Sequence, residues 1–215
     1  MSDPLINSLV NDMAPVKTLS RKSLNITAFL TFIVSAVVII TAFGVRKDFY
    51  EFIHTSSALF KNGLFLSVFM WGLILIHKLS RPSGTVTFVH MIPFALIPLG
   101  LFTAGYIEPA KFSIAAFEGQ ILGMTGMGFH CLATLTLASL AAMAILWRAW
   151  LKKTASTQPM LLGAISGLTS SSLIAFVYAF YCSSDYALYV SIYYGVPIML
   201  MTGLGAILGR KKLTW

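Results

Sequence analysis

Charge is scarce in this sequence. Only 10% of the 215 residues are charged and 57% are apolar, whereas an average soluble domain has about 25% charged and about 45–50% apolar residues. So many apolar side chains need lipid around them, and the sequence therefore predicts an integral membrane protein. Its length leaves no room for a separate soluble domain of ordinary size beside the membrane spans.

Acidic residues are rarer still, and none falls inside an apolar stretch. The chain has 7 Asp and Glu against 15 Lys and Arg. Transporters and proton pumps usually keep ionisable groups at mid-membrane, where such groups are costly and persist only for a function. The lack of acids disfavours proton-coupled transport, although a small-solute channel or transporter stays an alternative. Lys61, near one end of an apolar stretch, is expected to snorkel outward along its helix.

Histidine is limited to 4 residues. A membrane haem needs two axial histidines at matching depth, and His77 and His90 both fall near the same side of the predicted membrane region. Interfacial histidines with polar partners are the preferred interpretation of these two residues. No cofactor is expected.

Long apolar stretches, in contrast, are plentiful. A membrane-crossing helix needs about 20 mostly apolar residues, and six stretches qualify: 26–45, 59–77, 85–107, 129–147, 160–181 and 187–208. The predicted fold is an all-α integral membrane protein, a bundle of six transmembrane helices over residues 26–209. It is flanked by a cytoplasmic segment, 1–25, and a cytoplasmic basic tail, 210–215.

Glycine and proline mark special points within these spans. The segments "GAISG" (163–167) and "GAILG" (205–209) place glycines four residues apart, which allows two helices to approach closely. We expect this contact inside one bundle rather than between two copies. Pro93, Pro98 and Pro197 are expected to kink the third and sixth spans.

Basic residues are distributed unevenly between the two sides of the predicted bundle. The side with both termini carries eleven: Lys17, Arg21, Lys22, Lys78, Arg81, Arg148, Lys152, Lys153, Arg210, Lys211 and Lys212. The other side carries four: Arg46, Lys47, Lys61 and Lys111. Cationic loops are retained in the cytoplasm, so both termini are predicted to be cytoplasmic. The formal net charge of +8 follows from this topology, and we expect no direct nucleic-acid binding.

The N-terminal segment has the pattern of a short amphipathic helix. Five apolar residues recur at helical spacing before Pro15 ends the pattern: Leu5, Ile6, Leu9, Val10 and Met13. Such a helix either lies on the bilayer or docks into the groove of a partner. Asp3 and Asp12 make it less cationic than a typical surface-lying helix, which favours a partner.

Cysteine occurs only twice, at Cys131 and Cys182. Both fall at the predicted external face, on antiparallel helices joined by a short loop, so they can reach the Cα separation of about 4.4–6.8 Å that a disulfide needs. With His130 they are also candidate ligands for a soft metal. Two unrelated buried thiols are the simpler alternative. A quinone-linked thiol-disulfide oxidoreductase generally needs a C-x-x-C motif or a second cysteine pair, so enzymatic activity is not expected.

Four segments resemble a known family: "LVNDMAPVKTL" (9–19), "HCLATLTLASLAAMAILWRAW" (130–150), "GAISGLTSSSLIAFVYAFYCSSD" (163–185) and "YVSIYYGVPIMLMTGLGAILGRKKLTW" (189–215). They are similar to the NrsF-type negative regulators of sigma F, which are six-span anti-sigma factors of the bacterial inner membrane. The similarity runs nearly end to end. It depends on the spacing of Pro, Cys, Gly and the terminal Trp rather than on a catalytic motif.

The resemblance implies a function. The family holds an extracytoplasmic-function sigma factor at the membrane until an envelope stress, typically heavy metal or oxidant, is sensed. Its two sensing cysteines match Cys131 and Cys182. Its N-terminal pattern matches Asp12, Pro15, Val16, Lys17 and Leu19, which places the sigma-binding surface on residues 1–25. The residues expected to bind the partner are Leu5, Leu9, Asp12, Met13, Pro15, Val16 and Leu19. Because this tail is shorter than a usual sigma-binding domain, the loops "KLSRPSG" and "RAWLKKTASTQP" are candidates to share the contact.

Overall fold

The structure is a bundle of long helices. It is a computed structural model that describes residues 20–50, 54–81, 84–94, 127–154, 156–182 and 187–213. The helices are α1 (Arg21–Phe43), α2 (Ser56–Leu79), α3 (Met127–Ala149), α4 (Pro159–Tyr178), α5 (Ala187–Tyr193) and α6 (Gly195–Lys212), with short 3₁₀ helices at Phe88–Met91 and Leu151–Lys153. No strand occurs in these ranges, so the predicted all-α class is confirmed for them.

Five helical segments are long and apolar enough to cross a membrane. They are Arg21–Phe43, Leu59–Leu79, Gly128–Lys153, Pro159–Tyr178 and Tyr189–Lys212. They correspond to the first, second, fourth, fifth and sixth predicted spans. Most of the third predicted span, 85–107, lies outside the described residues, and so does the predicted amphipathic helix before residue 20.

The ends of the helices follow from local sequence. The Ser20 hydroxyl accepts a hydrogen bond from the Lys22 amide at 3.2 Å and caps α1. Gly44 ends α1 with a φ of 81°, a left-handed conformation that costs glycine little. Pro159 stands in the first turn of α4, where its missing N–H is not needed.

Helix α4 is the central element of the bundle. It packs against α1, α2, α3 and α6, and most of its side chains are buried. Against α6 the backbones touch: a Cβ added to Gly163 would overlap the carbonyl oxygen of Gly205, and one added to Gly167 would overlap that of Met201. The prediction that the glycine motifs pack inside one bundle is confirmed.

The sixth predicted span is interrupted. Helix α5 ends at Tyr193 and α6 begins at Gly195. Pro197, near the start of α6, has no N–H to bond the carbonyl four residues earlier and its ring crowds that carbonyl. The break lies close to Pro197, and the predicted kink of the span there stays a prediction. Pro98 lies outside the described residues.

Two clusters of buried side chains divide the core into two ends. At the first, which we call the basic end, Leu24, Leu79, Trp150, Leu151 and Leu213 pack together. The adjoining helix ends carry Arg21, Lys22, Lys78, Arg148 and Arg210 to Lys212. At the second, which we call the cysteine end, the buried residues include Ile39, Phe65, Cys131, Tyr178, Cys182, Tyr189 and Tyr194. The basic residues of four helix ends therefore share one end of the bundle.

Candidate sensor site at the cysteine end

The structure brings Cys131 and Cys182 together. Cys131 lies in the first turns of α3, and Cys182 follows the end of α4, where its amide donates to the Tyr178 carbonyl at 3.0 Å. The two thiols are neighbours in one buried cluster, and no disulfide joins them. Their exposed fractions are 0% and 1%. The adjacency predicted from topology is therefore present, while its role in sensing stays a prediction.

Tyrosine side chains surround the two thiols. The hydroxyls of Tyr178 and Tyr189 lie next to the Cys131 sulfur, and that of Tyr194 lies next to the Cys182 sulfur. The ring of Tyr194 is 6.1 Å from that of Tyr178, centroid to centroid. None of these three buried hydroxyls makes a well-formed hydrogen bond within the described part of the chain. Since buried polar groups normally have partners, the pocket of hydroxyls and thiols holds unused hydrogen-bonding capacity.

Lys61 extends this polar site, contrary to expectation. Its side chain is 2% exposed, and its ammonium stands 5.7 Å from the centroid of the Tyr194 ring. That ring is stacked on Phe65 at 5.3 Å. The prediction that Lys61 snorkels outward is wrong, because the face of a buried tyrosine attracts the ammonium into the bundle.

His130 does not join the cysteines. It is exposed, and its ring packs on Phe129 at 6.4 Å, while the adjacent Cys131 is buried; successive residues of a helix point about 100° apart. Within the described ranges, no group of three His, Cys, Asp or Glu residues is arranged to hold a metal. Metal binding by Cys131, Cys182 and His130 together stays a prediction.

His90, one of the two histidines considered as haem ligands, has other partners. Both ring nitrogens of His90 are engaged: Nε2 lies 2.9 Å from Lys78 Nζ, and Nδ1 lies 2.9 Å from Thr87 Oγ1. His90 also accepts a hydrogen bond at its carbonyl from Trp71 Nε1 at 3.0 Å. The prediction that His90 has polar partners is confirmed, while its interfacial position stays a prediction.

Arg46 is a residue of the site that the sequence did not indicate. Its guanidinium donates from Nη1 to the Cys182 carbonyl at 3.2 Å, and from Nε and Nη2 to the Asp48 carboxylate at 2.8 and 2.6 Å. The hydrogen bond from Arg46 lowers the pKa of Asp48 to about 2. In the sequence, Arg46 contributes only to the charge difference between the two sides of the predicted bundle. The sole sequence signal was an Arg and an Asp two residues apart, directly after an apolar span.

The predicted partner-binding residues lie outside the described residues. They are Leu5, Leu9, Asp12, Met13, Pro15, Val16 and Leu19. The description begins at Ser20, the cap of α1, so the segment that precedes it is joined directly to a membrane-capable helix at the basic end.

Comparison with known proteins assigns the chain to a family. The model of the NrsF family, described as negative regulator of sigma F, matches residues 9–215. A relative from Azospira oryzae, described as a probable anti-sigma-F factor NrsF, is 27% identical over 143 residues. That match covers 64% of this chain and 63% of the relative, so it spans less than two thirds of that protein. No solved structure matches. The resemblance found in the sequence is confirmed, and the chain belongs to the NrsF family of negative regulators of sigma F.

Proposed function

We propose that the protein is an anti-sigma factor of the bacterial inner membrane. It holds an extracytoplasmic-function sigma factor through residues 1–25 and releases it when a metal or an oxidant acts on Cys131 and Cys182. Family membership supports the regulatory role. The observation that carries the sensing role is the contact between two buried thiols in a tyrosine-lined site.

Two reactions can change this cysteine pair, namely oxidation to a disulfide and binding of a soft metal. With hydrogen peroxide as oxidant, the two thiols lose two electrons and two protons to form one disulfide, while the peroxide takes up both and becomes two molecules of water. With a soft divalent cation, both thiols release protons and the two thiolates ligate the metal. Each reaction changes the separation of the sulfurs and therefore moves the start of α3 relative to the end of α4.

The orientation of the helices supports a sixth crossing by the predicted third span. Helix α2 ends at the basic end, where Leu79 packs with Trp150, and α3 begins at the cysteine end with Cys131. The described residues that flank the third predicted span therefore lie at opposite ends of the bundle. An even number of crossings places both termini on one side, and the basic residues there make that side cytoplasmic.

The basic end also offers a surface beside the N-terminal segment. Lys152 and Lys153 follow α3 and are exposed, as are Arg210 and Lys211 at the end of α6. We include the α3–α4 connection in the sigma-binding surface because it lies next to the start of α1 through the contact of Leu24 with the cluster around Trp150 and Leu151. A short tail then does not have to supply the whole contact.

Capture and release of the sigma factor by isolated membranes tests this function. Membranes with the wild-type protein should retain the sigma factor and release it on treatment with peroxide or Cd²⁺. Cys131→Ser, Cys182→Ser and the double variant should each retain the sigma factor but lose release to the same extent, since one sulfur cannot complete either reaction.

The matched control is Ser139→Ala, a buried single-atom change on the same helix as Cys131. It should capture and release as the wild type does. Failure of wild-type membranes to retain any sigma factor would refute the proposed function. Release that persists in the double cysteine variant would refute the sensing role alone.

A further inference from the structure

The loop that follows α1 packs against the segment that carries Cys182. The ring of Phe43, the last residue of α1, lies 5.1 Å from that of Tyr181, and Phe49 lies 6.1 Å from Phe180. Between them the Arg46 amide donates to the Phe180 carbonyl at 3.4 Å. We call this set of contacts, together with the bond from the Arg46 side chain to the Cys182 carbonyl, the clasp.

Arg46 is the polar centre of the clasp. Its side chain is only 5% exposed, whereas that of Asp48 is 48% exposed. The carboxylate takes two of the guanidinium N–H groups in a bidentate pair, which fixes the plane of the guanidinium and aims Nη1 at the Cys182 carbonyl. A planar fork of this kind is specific to arginine, because lysine has a single charged nitrogen and cannot make both contacts.

The clasp stays charged at physiological pH. The pKa of Asp48 falls to about 2 from 3.8, so its ionised form is favoured in the folded protein above both values. The stabilising effect is complete above the unfolded value of 3.8 and is lost progressively as the pH falls from there through about 2. A change in external pH near neutrality therefore does not open the clasp, whereas a change at Cys182 acts on it directly.

The two helices joined by the clasp differ in how firmly they are held. In α4, fourteen residues are buried, and its backbone touches α6 at Gly163 and Gly167. In α1 only Leu24, Ala28, Thr31 and Ile39 are buried. Burial of apolar surface and backbone contact both resist displacement, so a local change at the cysteines displaces α1 more readily than α4.

Helix α1 connects the two ends of the bundle. It has 23 residues and is therefore about 35 Å long at 1.5 Å per residue. Its far end at Ser20 is continuous with residues 1–19, the segment proposed to bind the sigma factor. A hydrogen-bonded helix of this length moves as a unit, so a shift at Phe43 is carried to Arg21.

We propose that Arg46 is a positioning residue that couples the cysteine pair to the sigma-binding segment through α1. This inference rests on the proposed function. At rest, the clasp holds α1 in the position that captures the sigma factor. When Cys131 and Cys182 form a disulfide or share a metal, Cys182 is drawn toward α3, its carbonyl leaves Arg46, and α1 is released. The signal therefore runs through the first span rather than through the α3–α4 connection.

The test is the order of action of two sets of variants. Arg46→Gln should leave α1 unclasped, so that membranes fail to retain the sigma factor without stress. Combining it with the double Cys131→Ser and Cys182→Ser change should not restore retention, because Arg46 acts after the cysteines. Sigma-dependent transcription without stress should rise at least about tenfold, within the 5- to 150-fold range of typical couplings.

Several controls separate coupling from loss of structure. Lys47→Gln removes the neighbouring exposed cation and should behave as the wild type does. Asp48→Asn keeps the arginine but removes its bidentate partner, so a smaller change in the same direction is expected. The rate at which peroxide joins Cys131 to Cys182, followed by mass spectrometry, should be the same in Arg46→Gln and in the wild type.

The outcomes are distinguishable from failure of the proposed function. If wild-type membranes capture and release the sigma factor while Arg46→Gln behaves like Lys47→Gln, the coupling role of Arg46 is overturned and the proposed function stands. If Arg46→Gln abolishes disulfide formation, Arg46 holds the site itself and the inference is likewise overturned. If the cysteine changes restore retention in Arg46→Gln, the cysteines act after Arg46, and the inference is overturned.

Discussion

Most Ser and Thr hydroxyls in the described helices donate a hydrogen bond to a backbone carbonyl of their own helix. Thr169 and Ser172 donate to the carbonyls of Ile165 and Leu168 on α4. Ser166 differs, because its hydroxyl accepts a hydrogen bond from Trp147 Nε1 on α3 at 2.9 Å while donating to the Gly163 carbonyl at 2.7 Å. It is a polar link between α3 and α4.

Removing the Ser166 hydroxyl is expected to weaken the fold. In Ser166→Ala the buried Trp147 N–H loses its partner, and such a loss costs about 1–2 kcal/mol in water-soluble and membrane proteins. Ser172→Ala is the matched control, since its hydroxyl bonds only its own helix, and it should cost much less. Unfolding in detergent with increasing sodium dodecyl sulfate measures both. Equal stability of the two variants would contradict the link.

At the scale of helices, the contact between α4 and α6 holds the bundle together most closely. The glycines face each other across the contact, so that Gly205 and Gly209 on α6 meet Gly163 on α4 without intervening side chains. Without a hydrophobic drive between helices in lipid, close backbone packing of this kind supplies much of the association energy.

A single methyl group should disrupt this contact. In Gly163→Ala the added Cβ would overlap the Gly205 carbonyl oxygen, and overpacking of this kind costs about 1–3 kcal/mol. Gly203→Ala lies on the same helix as Gly205 but has nothing within 4 Å of its added Cβ. It should be neutral or slightly stabilising, since alanine favours a helix over glycine by up to about 1 kcal/mol. Thermal unfolding in detergent compares the two, and a stable Gly163→Ala would count against the contact.

Helix positions follow from the sequence more readily than helix ends. A run of about 20 apolar residues has few alternatives in lipid, because every backbone N–H and C=O must be paired within the helix. The ends depend on local caps: α1 begins at Arg21 rather than at residue 26, since Ser20 supplies the cap and basic residues continue the helix beyond the apolar run. Pro197 predicts that the sixth span is irregular, but it does not predict that the break falls before Gly195.

The whole molecule has a basic end and a cysteine end. Four helix ends that carry basic residues surround the cluster of Leu24, Trp150 and Leu213. Reporter fusions after Lys22 and Ser156 should therefore read cytoplasmic, and fusions after His54 should read external. A cytoplasmic reading at His54 would invert the orientation. Alkaline phosphatase reports an external site and a fluorescent protein reports a cytoplasmic site, so fusing each of them at every position tests both orientations.

Contacts between distant parts of the chain were beyond the sequence. The bond from Arg46 to the Cys182 carbonyl joins residues 136 positions apart, and the turn of Lys61 toward Tyr194 depends on how α2 is rotated against α6. By charge alone both cations are only markers of topology, and their charge says nothing about the partners that they contact. The cysteine adjacency was predictable because two antiparallel neighbours bring their shared ends together.

Complete burial of the two thiols limits which reagents reach them. With exposed fractions of 0% and 1%, a bulky or charged thiol reagent reacts only during rare openings, and its rate is scaled down by the open fraction. A small uncharged oxidant that dissolves in the apolar interior escapes this penalty. For the proposed sensor, this packing favours small uncharged oxidants, and a charged metal ion such as Cd²⁺ reaches the thiols only during such openings.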